Sequence, residues 1–109
     1  MPKPYSPYIP KGTGELLDLL STFMSSSPRF EDTTGYFPSM SIDTEFFALN
    51  EALKLMRKRL GEERYLAAMD ISDRMRAHFE ADPEDKTDDC IAGRELIHVL
   101  EDILKSPRR

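Results

Sequence analysis

The sequence predicts an all-α protein: a four-helix, bundle-like single domain with a Pro-rich extended N-terminal arm and a long loop between the first and second helices. Three observations carry that expectation. Apolar residues recur at spacings of three and four through four separate stretches, no stretch alternates convincingly with the period of a strand, and Gly, Pro, Ser and Asp residues punctuate the gaps. At 109 residues the chain has room for one domain of ordinary size. We divide it into an arm over 1–12, a helical body over 13–106 and a tail over 107–109.

Pro2, Pro4, Pro7 and Pro10 define the arm, because proline fixes φ and lacks the amide that a helix or a central strand needs. Tyr5, Tyr8 and Ile9 give it groups able to dock on the body or on a neighbouring subunit. The first helix is expected after Thr13, with Glu15 and Asp18 in the turn where the helix dipole favours negative charge. Leu16, Leu17, Leu19, Leu20, Phe23 and Met24 form its apolar stripe, and Ser25, Ser26, Ser27 and Pro28 end it. Residues 28 to 41 then make a long loop carrying Phe30, Tyr36, Phe37 and Met40, which are costly to leave wet. They either plug the open end of the bundle or form a contact surface.

The second helix, about 42 to 60, has the cleanest pattern: Ile42, Phe46, Leu49, Leu53, Met56 and Leu60 alternate spacings of four and three, as a bundle seam requires. Phe47, Ala52 and Leu55 widen the stripe, Ser41 or Asp43 caps the start, and Gly61 supplies the stop. A third helix runs from near Glu62 to about Ala81 on Tyr65, Ala68, Ser72, Met75 and Phe79, with Leu66, Met69 and Ile71 beside them. With only Gly61 between them, the second and third helices are expected to form a tight antiparallel hairpin. Asp82 and Pro83 end the third helix, and Thr87 opens a fourth whose buried line is Cys90, Ile97, Leu100 and Leu104. Gly93 lies among these, where a facing helix can approach closely.

Composition narrows the function. Twenty acidic against fifteen basic residues give a net charge of -5, which disfavours nucleic acid as a partner. The basic cluster Lys54, Arg57, Lys58 and Arg59 is explained by the helix dipole and is diluted by Glu62 and Glu63. The single cysteine, Cys90, excludes an intrachain disulfide and fits a reducing, cytoplasmic setting. No apolar run suits a signal peptide or a membrane span, so no membrane association is expected.

The chemical motifs are weak. Glu95 and His98 have the Glu-x-x-His spacing of carboxylate-bridged metal bundles, but a second such pair is lacking and both fall on the wet side of the helix. Residues 82 to 89 are acidic, yet Lys86 and Thr87 occupy the fifth and sixth positions, where a calcium loop needs a ligand and a glycine. Gly12, Thr13 and Gly14 precede a helix without a Walker pattern, and Glu15 and Asp18 would repel a bound phosphate. Cys90 with His78 or His98 is a poor nucleophile pair, because Cys90 is expected inside and His98 outside. We therefore expect no enzyme, no cofactor and no metal.

The remaining feature is the acidic stretch from Glu80 to Asp89, suited to a basic protein partner of the kind that inhibitors, antitoxins and immunity-like proteins bind. The expected partner-binding residues are Phe30, Tyr36 and Phe37 of the loop and Glu84, Asp85, Asp88 and Asp89 of the acidic turn. The alternative is a structural or regulatory homodimer in which the arm and surplus apolar side chains of the second helix complete a shared core. A metal-dependent or hydrolytic enzyme is the third and weakest reading.

Overall fold

In the computed structural model, residues 7–31 and 40–105 are described, and among them there are five helices and no strand. They are α1 (Thr13–Ser26), α2 (Ile42–Leu55), α3 (Arg57–Leu60), α4 (Glu62–Ala81) and α5 (Asp88–Lys105). The all-α, bundle-like expectation holds, with one departure. The second expected helix is broken at Met56, where φ -94 and ψ 2 leave the helical region and a single turn, α3, follows. The Met56 N–H is shared between the carbonyls of Ala52 and Leu53. Beyond the break Arg57 lies 4.8 Å from the centroid of the Tyr65 ring and donates from Nε to Glu62 at 2.8 Å. Gly61 then turns the chain at φ 85, a left-handed value that glycine adopts without steric cost.

Each boundary has a local cause. Ser41 caps α2 reciprocally with Thr44: the Thr44 N–H donates to Ser41 Oγ and the Ser41 N–H donates to Thr44 Oγ1. At α5 the Thr87 hydroxyl accepts from the Asp89 N–H. α1 ends as Ser21, Thr22, Ser25 and Ser26 turn their hydroxyls back onto its own carbonyls.

The helices run up and down. α2 and α4 form the expected antiparallel hairpin: Arg76, late in α4, pairs with Asp43 at the start of α2, and buried Ser72 donates to Asn50 Oδ1 at 2.7 Å. α4 and α5 are antiparallel as well, tied by Arg64 to the Ile103 carbonyl at one end and by His78 to Asp89 at the other. α1 packs on α5 and α2, closing the ring.

The core lies where the apolar spacing places it. In α4 the buried residues are Tyr65, Ala68, Ser72, Met75 and Phe79, and in α5 they are Cys90, Gly93, Ile97, Leu100 and Leu104. Gly93 meets α4 so closely that a β-carbon there would stand 2.7 Å from Phe79 Cε1. At the end of the bundle shared by the C-termini of α1 and α4, Phe23, Phe46, Phe79 and Phe30 cluster with ring centroids 4.9 to 5.5 Å apart. Phe30 is held at φ 57 with its ring fully buried. The left-handed backbone costs about 1–2 kcal/mol, and burying the ring returns about 1.5–3 kcal/mol.

Candidate functional site

The acidic stretch is built mostly for the fold's own use. Asp82 is buried at 3% exposure just after α4, and its carboxylate accepts from the backbone N–H groups of Lys86 at 2.8 Å, Thr87 at 2.9 Å and Cys90 at 3.4 Å. Burial opposes its ionisation, but the hydrogen bonds from Lys86, Thr87 and Cys90 prevail and hold it well below the usual carboxylate range. The residue that ends α4 thereby anchors the start of α5.

The four expected acidic contacts meet different fates. Asp85, in the left-handed region at φ 56, pairs with Arg94 at 3.0 Å. Arg94 also donates to the Ser27 hydroxyl at 3.1 Å and the Ser27 carbonyl at 3.3 Å, so this pair fastens the turn to the end of α1. Asp89 pairs with His78 at 2.9 Å, and Glu84 meets Lys86 at 2.7 Å on the surface. Asp88 is exposed and makes no ion pair among the described residues. Of the expected loop contacts, Phe30 takes the plug alternative: it is inside the aromatic core and offers no surface to a partner. Tyr36 and Phe37 lie outside the described residues.

Asp82, Asp85 and Cys90 bring a carboxylate oxygen or sulfur within 4.8 Å of one another. Their lone pairs are already engaged. Asp82 is filled by backbone amides, Asp85 by Arg94, and the Cys90 thiol donates to the Asp82 carbonyl at 3.2 Å. Burial, reinforced by the hydrogen bond and charge of Asp82, pushes the Cys90 thiol up to about 12, far from the thiolate that metal binding or nucleophilic attack requires. Glu95 and His98 are exposed on the outer face of α5, where His98 pairs with Glu101 at 2.9 Å.

A second place collects charge differently. Residues 7 to 11 lie against α1: the Tyr8 hydroxyl donates to Glu15 at 2.7 Å and the Lys11 N–H donates to the same carboxylate at 3.2 Å. The Tyr8 hydrogen bond, followed by that from Lys11, lowers the Glu15 carboxyl, and the same contact raises the Tyr8 phenol. Pro7, Tyr8 and Pro10 on one side, α1 on the second and α2 with Met40 on the third enclose a groove of about 420 Å³. Leu19, Met40 and Ala48 give it an apolar floor, and among the described residues its charged lining groups are the carboxylates of Glu15, Asp18 and Glu45. Among the described residues no lysine or arginine lines it. Glu45 is only 6% exposed and its carboxylate accepts from Thr44 Oγ1 at 3.4 Å.

Sequence reasoning read Glu15 and Asp18 as partners of the helix dipole and passed over Glu45. A signal was there: Glu45 stands between Ile42 and Leu49 on the apolar face of α2, an address at which a carboxylate is costly unless something uses it. No protein-family model matches the chain, and no curated protein or solved structure does either.

Proposed function

We propose that this protein is a non-catalytic interaction module of the cytoplasm that recognises a basic partner protein, in the manner of an inhibitor, antitoxin or immunity-like protein. The observation that carries the reading is the groove beside α1, an apolar floor on which the charged lining groups among the described residues are carboxylates. Such a site attracts cationic groups and rejects anionic ones. The net charge of -5 acts in the same direction at longer range. Glu84 and Asp88 add exposed acidic charge, whereas Asp85 and Asp89 are tied to Arg94 and His78 and serve the fold first.

The test is affinity capture from the native cell extract at low and high salt. The wild-type chain is compared with a variant carrying Asp18→Lys, Glu84→Lys and Asp88→Lys, none of which has a role in the core. A basic protein held by the wild type at low salt, shed at high salt and ignored by the variant is the expected result. Equal retention by both proteins would contradict the reading.

The homodimer remains a second reading because α2 leaves Phe47 53% and Leu55 64% exposed. Paired across a twofold axis, these side chains would bury apolar surface that a monomer leaves wet. Sedimentation at micromolar concentration decides it: a dimer dispersed by Phe47→Ser with Leu55→Ser supports this reading, and a monomer throughout ends it.

A further inference from the structure

We infer that residues 7–9 form a releasable strap beside α1, latched by the Tyr8 hydroxyl on the Glu15 carboxylate, and that the groove keeps its arm-side wall only while this latch is closed. The strap opens and closes whatever the groove binds, so this step goes beyond the reading of a basic partner and does not rest on it.

The two ends of the segment are held differently. At the root, Pro10 is buried and the Lys11 N–H donates to Glu15 at 3.2 Å, with Ile9 partly buried against the core. Beyond the root, Tyr8 is 63% exposed, and its hydroxyl lies 2.7 Å from one Glu15 carboxylate oxygen and 3.0 Å from the other. Glu15 is exposed as well, so water competes for both ends of that hydrogen bond. Among the described residues no backbone–backbone hydrogen bond joins residues 7–11 to the helices. A segment with few buried contacts and no backbone ladder opens at low cost. The latch is nonetheless a charge-assisted bond, since the contact with Tyr8 itself favours the ionised form of Glu15. Pro7 and Tyr8 line the groove of about 420 Å³, so lifting them lays its Leu19 and Thr22 side open to water.

The test is ¹⁵N relaxation on the full labelled chain, comparing wild type with Tyr8→Phe, which removes the hydroxyl and keeps the ring. Backbone order parameters at residues 8 and 9 are expected near about 0.85 in the wild type and below about 0.6 in the variant, with their amide shifts moving toward unstructured values. The Lys11 amide, at the root, should keep its hydrogen-exchange protection to within about twofold, and the five helices should be unchanged. Glu15→Gln, which keeps an acceptor and removes the charge, should loosen the same two residues less than Tyr8→Phe does. Equal order at residues 8 and 9 in wild type and Tyr8→Phe, order parameters already below about 0.6 in the wild type, or loosening that spreads into α1 would each overturn the inference. The capture experiment bears only on the basic partner, so the two can fail separately.

Discussion

Asp82 shows how much one side chain can be asked to do. Its sequence neighbours mark it as a helix terminator, since Pro83 follows, yet the carboxylate itself joins two helices by receiving the amides of Lys86, Thr87 and Cys90. Because its folded pKa is depressed, the stabilisation it provides is complete above the ordinary carboxylate range. It is lost as pH falls below about 4, where the unfolded chain takes up the proton more readily. Asp82→Ala should therefore lower the thermal midpoint by several degrees at neutral pH, and the gap between variant and wild type should narrow on acidification. Thermal melts followed by circular dichroism from pH 7 to pH 3 check both parts. A gap that is unchanged by acid would show that folding leaves the Asp82 carboxyl with the pKa it has in the unfolded chain. Phe30 makes the complementary point. Its aromatic character was legible as something to be buried or shared, but its backbone sits at φ 57, and no residue pattern announces that a phenylalanine will adopt it. For Phe30 itself, the buried ring is a plug and not a contact surface.

At the scale of elements, apolar spacing was the informative signal. The buried positions of α4 and α5 coincide with the spacings of three and four because each helix meets neighbours along one stripe and has a polar face to give to water. α2 was less legible. Phe47 and Leu55 read as part of its stripe, yet both are more than half exposed, since α2 faces α4 and α1 with a narrower seam than its composition suggests. The break at Met56 had no sequence signal, as neither proline nor glycine occurs there and Met56 itself fits the seam. Gly93 had one: a glycine inside a helix implies close approach, and Phe79 is the residue that approaches. Gly93→Ala gains about 1 kcal/mol of helix propensity but forces a methyl group against a ring with no room to retreat, an overpacking cost of about 1–3 kcal/mol. The expected net loss is about 1 kcal/mol, or roughly 4–8 °C in Tm. A variant that melts higher than wild type would mean that α4 and α5 can part without cost.

Across the whole molecule, charge is divided between internal and external uses. The acidic run from Glu80 to Asp89 looked in the sequence like a single binding surface, because a linear string cannot show that Arg76 and Arg94 pair with Glu80 and Asp85 and that His78 hydrogen-bonds Asp89. The groove was illegible for the opposite reason. Glu15 and Asp18 stand on α1 and Glu45 on α2, and only the packing of residues 7–11 and α2 against α1 brings them to one groove. The fold class followed from local periodicity, whereas the candidate site depends on contacts between distant segments.

If recognition of a basic partner is the protein's work, its long-range field should govern how fast the two meet. The measurement that tests this most directly is the association rate constant with the captured and purified partner, followed by stopped flow as ionic strength is raised. The account predicts a rate that falls about tenfold or more between low and physiological salt while dissociation changes little. An association rate indifferent to salt would contradict it.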